Sequence, residues 1–325
     1  MINRLIVEKY QALFYIVSIS LGVLFGASYP ELSTSLEMVL WPVLAFLLYV
    51  TFSQIPVAHI PKAIFDYKFI TAALIGNFVL IPIFVAIIIA LIPNDPVLKL
   101  GVALVLLVPC TDWFITFSQL GKGDSKYAVA LAPIILLAQF LLLPIYIYLM
   151  FGNSLTVDIA QSNLIEIFIW FIAVPLFAAY ITQKLADRNR FWKKSLHTLG
   201  WMPIPLLVIV VFIIFSSQFQ TISDSKNIFD TLTIVFVLFL IITVLFAKLL
   251  ASMFKLPVGQ GRVLAFSFGT RNSFVVLPIV LALPDQYHTA IVVVAFQPLI
   301  ELIGMLIYIK IIPNRIFSDN IKHSE

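Results

Sequence analysis

The chain has 325 residues, 62% of them hydrophobic and 11% charged, with a formal net charge of +4. Soluble domains carry roughly 25% charged residues, so this composition excludes a soluble enzyme or binding module and identifies an integral membrane protein. The basic residues are scattered between apolar runs, which excludes nucleic acid as a partner, and one cysteine with four dispersed histidines excludes a disulfide framework and a zinc centre.

A bilayer-crossing helix needs roughly 20 mostly apolar residues. Ten segments qualify, at about 11–30, 35–55, 69–92, 96–119, 127–151, 163–184, 199–217, 230–254, 262–283 and 288–312. Arg4 and Lys9 give the first a likeness to a signal peptide, but its length and the spans that follow make it the first membrane helix. The separators are short (PELS, HIPKAIFDYK, PNDP, GKGDSK, ADRNRFWKK, SDSKN), so residues 1–325 read as one transporter-sized membrane domain.

Placing the N-terminus in the cytoplasm puts 17 basic residues on one side, among them Lys62, Lys122, Arg188, Lys193 and Lys322. Only Lys99 and Lys226 fall on the other, and Arg271 lies inside a span. By the positive-inside rule this is a multi-pass protein of the cell membrane with both termini cytoplasmic. Trp41 and Trp192, near span ends, read as interfacial anchors. The apolar runs are too uniform to mark a dimer face.

Ten spans suggest two sets of five. LAQFLLLPIYIYLM (137–150) lies over LIELIGMLIYIKII (299–312) at an offset of 162, which pairs Gln139 with Glu301 and Tyr146 with Tyr308. Thr111-Asp112 pairs with Thr270-Arg271 at an offset of 159. An odd number of spans per unit inserts the second unit upside down, giving the inverted repeat of many secondary transporters, here about 11–151 and about 163–312.

Three charges fall inside spans: Asp112, Arg271 and Glu301. Each costs about 2.5–3.5 kcal/mol at the bilayer centre on the insertion scale, and such residues face the bundle interior or water. They either form an ion pair that locks helices together or line a site. Asp112 and Arg271 each adjoin a helix disruptor: Pro109 removes a backbone donor, and Gly269 permits irregular backbone. Irregular backbone at membrane depth is tolerated where it is buried in protein or lines a cavity, and two interrupted spans at corresponding positions point to a transporter's central site. The substrate region is therefore expected where the breaks meet.

Cys110 is either a small hydrophobe or a soft ligand suited to a thiophilic substrate such as trivalent arsenic. Asn77 and Gln139 are uncharged polar groups in spans, open to either a site or a helix-to-helix hydrogen bond. The sequence contains no P-loop, GxSxG or HExxH, and no aspartate pair placed for intramembrane proteolysis. The chain is read as a non-enzyme without cofactor, driven by an ion gradient or facilitated diffusion.

The stretch VPCTDWFITFSQLGKGD (108–124) resembles the fourth-helix motif of the arsenite permeases within the bile acid:sodium symporter superfamily, through Pro109, Cys110, Thr111, Lys122, Gly123 and Asp124. Asn77 in NFVLIP and Glu301 in QPLIELIGMLIY also match positions of that family. The resemblance implies an all-α membrane protein of ten helices in two inverted repeats. It further implies a core domain, a panel domain, and broken fourth and ninth helices that cross near the site. It assigns Cys110 to the substrate, Glu301 to the proton or substrate path, and protons as the coupling ion.

The departures are specific. Ser267 stands where the sodium-coupled members have a sodium-binding glutamate, and Arg271 where they have a glutamine. Phe114 and Ile115 replace small or polar sodium ligands, so sodium coupling at those two places reads as lost. The permeases carry an Asn-Asn-Phe-Glu pattern in the ninth helix where this chain has Asn272, Ser273, Phe274 and Val275, and Asp112 and Arg271 have no counterpart there.

Two transport readings follow: a sodium-independent, proton-linked exporter of arsenite or antimonite, and an organic-anion or metabolite carrier. In the second, Arg271 holds the anion through two parallel hydrogen bonds. The expected substrate-binding set is Cys110, Thr111, Asp112, Arg271, Asn272 and Glu301, supported by Asn77, Pro109, Gln139, Gly269 and Thr270. A receptor or scaffold is a third class, which the cost of buried charge at paired breaks argues against.

Overall fold

A computed structural model of the protein describes residues 4–56, 65–161, 164–224 and 226–319. Lys62 and Lys322, which entered the charge count, lie outside the described residues. The helices in chain order are α1 (Arg4–Ser28), α2 (Pro30–Gln54), α3 (Tyr67–Leu91), α4 (Pro96–Leu107) and α5 (Trp113–Leu120). Next come α6 (Ser125–Gly152), α7 (Glu166–Arg188), α8 (Arg190–Leu199) and α9 (Pro203–Ser217). The last four are α10 (Phe229–Met253), α11 (Val258–Gly269), α12 (Ser273–Leu281) and α13 (Thr289–Ile316). Among the described residues there is no strand, and one isolated antiparallel bridge joins Pro109 to Arg271.

Local chemistry sets the ends. Asp66 accepts from the Phe69 N–H at 3.2 Å to start α3, and Asp95 accepts from Val97 and Leu98 at 2.9 and 3.1 Å to start α4 with Pro96 at its first position. Asn189 does the same for α8. Gly152, at φ 67°, closes α6 in a left-handed conformation that favours glycine. Lys122 at φ 57° ends α5, with the Gly123 N–H returning to Ser118 O at 2.7 Å. Lys122-Gly123-Asp124 is thus the turn that reverses the chain into α6.

Among the described residues, six helices are long and apolar enough to cross a membrane unbroken: α2, α3, α6, α7, α10 and α13. The pair α8–α9, bent by 44°, makes a seventh if taken as one span. The other expected spans differ for physical reasons. Segments 96–119 and 262–283 are each split into two short helices, with breaks at 108–112 and 270–272. The first expected span corresponds to an apolar stretch of α1, Leu13–Ser28, shorter than a full crossing. Segment 199–217 holds the 15-residue α9, and the chain before it is the amphipathic α8. On α8, Phe191, Trp192, Leu196 and Leu199 share one face and Arg190, Lys193, Lys194 and His197 the other, the pattern of a helix lying in the membrane interface.

Packing forms two groups. The helix α1 packs on α9, α9 on α2, and α2 on α7. The broken helices pack with α3, α6, α10 and α13: α4 lies against α13, α5 against α11, and α11 against α10. Close approach is set by small residues, since a Cβ on Gly101 would stand 2.9 Å from Val293 Cβ and one on Gly76 would enter the Phe268 ring.

Candidate functional site

The site is built where two chain breaks cross. After Leu107 the backbone turns extended at Val108 (φ −102°, ψ 104°), the conformation that a following proline imposes. After Gly269 it turns extended at Thr270 (φ −103°, ψ 139°). The two extended stretches then satisfy each other. The Cys110 N–H donates to Thr270 O at 3.2 Å, and the Asn272 N–H to Val108 O at 2.8 Å, on either side of the Pro109–Arg271 bridge. Backbone groups freed by the breaks therefore keep partners within the protein, as membrane depth demands.

Arg271, 2% exposed, carries most of the polar structure at the crossing. Its Nη1 donates to Leu106 O at 3.2 Å, and its Nη2 to Ser267 O at 3.2 Å, Phe268 O at 2.8 Å and Asn77 Oδ1 at 3.1 Å. The three carbonyls belong to the C-terminal turns of α4 and α11, where helix dipoles concentrate negative potential. The guanidinium carbon also stands 5.3 Å over the Phe239 ring of α10, a cation–π contact. Nε has no partner in its buried position.

Asn77 completes this cage from a π-helical turn, Gly76–Leu80, inside α3. Its Nδ2 donates to Ser267 Oγ at 3.0 Å and to Ala73 O at 3.2 Å while Oδ1 faces Arg271. Such π-turns occur often at functional sites because they re-aim one side chain.

Glu301, 1% exposed on α13, closes the other side. Its Oε2 accepts from the Arg271 backbone N–H at 2.7 Å and from Gln297 Nε2 at 2.6 Å, and Gln297 Oε1 in turn accepts from Ser273 Oγ at 2.6 Å. Its Oε1 is buried without a partner. Glu301 thus meets Arg271 at the backbone, while the guanidinium points into the cage.

Cys110 Sγ donates to Asp112 Oδ1 at 3.1 Å. Cys110, Asp112, Arg271 and Asn272 line one constricted cavity together with Thr51 and Trp113. Thr111 is buried, its Oγ1 3.5 Å from Asn272 Nδ2, and Asn272 Oδ1 caps α12 by accepting from the Val275 N–H at 3.3 Å. Asp112 also lines a larger cavity of about 310 Å³ that includes Gln11, Gln54, Gln119 and Trp201. Gln54 and Pro56 continue from it into a groove that carries Arg188, Arg190 and Lys193. The basic groove and the larger cavity thus adjoin, and Asp112 and Trp113 are the walls that the larger cavity shares with the constricted one beside the thiol.

Several expectations need adjustment. The ion pair of Asp112 with Arg271 is not what the guanidinium makes: its hydrogen bonds go to three carbonyls and Asn77. The equivalence of those two residues also shifts, because Asp112 and Asn272 hold the matching positions directly before α5 and α12. Gly269 has no positive φ; it is glycine for space, since a Cβ there would lie 2.7 Å from Tyr308 Cε2 and 3.0 Å from Met305 Cε. Thr270 makes the extended link and returns its hydroxyl to Phe266 O at 2.8 Å. Gln139 lies outside the crossing and lines a separate cavity.

Sequence reasoning passed over Gln297, whose signal was its place one helical turn before Glu301. It also passed over Thr51 and the glutamines of the larger cavity. The tyrosines paired by the 162-residue offset do matching work: Tyr146 Oη donates to Phe78 O at 2.6 Å and Tyr308 Oη donates to Leu240 O, each across 68 residues.

Comparison with curated proteins gives no match. The model of one family, described as the sodium bile acid symporter family, matches residues 41–225, which include the first break with Cys110 and Asp112 and stop short of the second. That match spans more than half of the chain, and together with the apolar helices and the crossed breaks it makes this protein a member of the sodium bile acid symporter family of membrane transporters.

Proposed function

We propose that the chain is a sodium-independent secondary transporter, linked to protons, that exports arsenite or antimonite. It is read as ten spans in two inverted five-helix units, with α1, α2, α7 and α9 as a panel and the remaining spans as a core. The equal tyrosine-to-carbonyl separations, from Tyr146 to Phe78 and from Tyr308 to Leu240, support the repeat.

The observation that carries the reading is the place of Arg271. Three helix-terminal carbonyls and an amide oxygen converge on its guanidinium, an all-oxygen arrangement of the sort hard cations take. The chain's own cation occupies that arrangement, so a sodium ion there would meet a fixed like charge with little solvent screening. With sodium displaced, the ionisable groups left for coupling at the crossing are carboxylates: Glu301 with one uncommitted oxygen, and Asp112 in the open cavity.

Substrate class follows from Cys110. Its sulfur faces the cavity beside the Asp112 carboxylate. As the bond from sulfur to the trihydroxy metalloid forms, one metalloid–oxygen bond breaks, and Asp112 can relay the thiol proton to the leaving hydroxide, which departs as water. The organic-anion reading is less well supported, because both Nη atoms of Arg271 are already engaged and an anion would have to displace those carbonyls. The test is uptake into everted vesicles of arsenite, antimonite and a panel of organic anions, with sodium replaced by choline. Arsenite uptake driven by a proton gradient in choline supports the reading; uptake only of organic anions, or only with sodium, rejects it.

A further inference from the structure

A second cavity, of about 460 Å³, lies between α6, α7, α12 and the first break, and shares no lining residue with the Cys110 cavity. Its walls are apolar, from Val108, Phe140, Phe168, Ile172, Val275 and their neighbours, with one exception. The exception is Gln139 of α6, 2% exposed, whose Nε2 and Oε1 are both buried without a hydrogen-bond partner. A primary amide left wholly unsatisfied in apolar surroundings is an unusual cost for a fold to carry, and it points to a partner that the protein itself does not supply.

Water suits the space poorly. A buried water needs two to four polar partners, whereas Gln139 is the single polar side chain in the lining, and apolar cavities of this kind stay dry and take apolar molecules. No basic side chain lines the space, so an anion would be buried without a counter-charge. Phe168 is 40% exposed at the apolar surface, which gives the cavity a side facing the bilayer. The ligand is therefore apolar, uncharged, drawn from the membrane, and equipped with one planar head that donates and accepts at once. A protonated carboxylic acid has this head: its O–H faces the amide oxygen and its C=O faces the amide N–H in two parallel bonds.

We propose that this cavity is a binding site for the neutral form of a fatty-acid-like carboxylic acid, with its chain among Phe140, Phe168 and Ile172 and its carboxyl paired with Gln139. The site is independent of the transport reading: it touches the crossing through Val108 alone and uses none of the polar or ionisable groups there.

The test uses the full chain in lipid nanodiscs and a fatty acid bearing a photoreactive diazirine on its tail, with labelled peptides mapped by mass spectrometry. Labelling is expected in the peptides holding Phe140, Ile172 and Val275. It should be competed by decanoic acid and not by methyl decanoate or the permanently anionic decanesulfonate. Gln139→Leu, which removes the unsatisfied amide and should fold normally, is expected to lower this labelling about tenfold through loss of the paired bonds. Ile172→Trp, which fills the space, should abolish it. Equal competition by the ester or the sulfonate, undiminished labelling in Gln139→Leu, or labels spread evenly over the lipid-facing helices would overturn the proposal.

Discussion

The Cys110 sulfur donates to the Asp112 carboxylate at 3.1 Å, and both groups line a cavity at the point where two interrupted helices cross. The pair joins a soft ligand to a proton acceptor two residues away, on backbone held in place by the opposite break. Replacing Cys110 by serine keeps the size and a donor to Asp112 but removes the soft ligand. Arsenite flux into everted vesicles should fall at least about tenfold, with thermal stability changed by less than about 1 kcal/mol. Unchanged flux would remove the thiol from the substrate's path.

Asp112 borders both the constricted cavity and the larger one, so it stands where the two adjoin, inward of the basic groove. Asp112→Asn retains an acceptor for the Cys110 thiol while losing the negative charge. The rate of arsenite binding, followed at constant pH, is expected to fall about tenfold because no base relays the thiol proton to the leaving hydroxide. An unchanged rate would make Asp112 a helix-starting residue only.

Glu301 accepts two hydrogen bonds through one oxygen and leaves the other without a partner in a buried position. Glu301→Gln can present its amide oxygen to both donors, so the fold should survive. Transport driven by a proton gradient should be lost while substrate binding persists. Proton-driven uptake at the wild-type rate would exclude Glu301 from coupling.

Gly76 opens the π-turn that aims Asn77 at Arg271, and a side chain there would enter the Phe268 ring. Gly76→Ala forces that ring aside in a close-packed interior and should destabilise the protein by about 1–3 kcal/mol. Transport should drop with it, because Phe268 also supplies a carbonyl to the guanidinium. A melting temperature equal to wild type would show that the ring moves freely.

Much of this site was legible in the sequence, and the reasons differ by residue. Pro109 marks a break because it lacks a donor and forces Val108 extended, and Thr270–Asn272 mark the other because polar residues interrupt an apolar run. That the breaks meet depends on tertiary packing. The partner of Arg271 was not legible: the nearest acid by charge matching is Asp112, yet the guanidinium takes carbonyls that exist only because two helices end there. The π-turn at Gly76–Leu80 is equally silent, since GNFVL has the composition of ordinary membrane helix. Span counting from hydropathy registers apolar residues but not backbone continuity, so α4–α5 and α11–α12 each count as one span, and only the disruptors within them signal the interruption. Gln139 could be read as a polar group in a helix; its lack of any partner required the packed structure.

The most direct test of the central claim, that Arg271 is a built-in cation in an oxygen cage, is the melting temperature of purified protein across a sodium chloride titration. Choline chloride serves as the control at matched ionic strength. Wild type should show no sodium-specific shift, whereas Arg271→Gln, with the cage vacated, should be less stable and regain stability as sodium, but not choline, is added. A sodium-specific rise in the wild type, or an Arg271→Gln protein indifferent to sodium, would contradict the account.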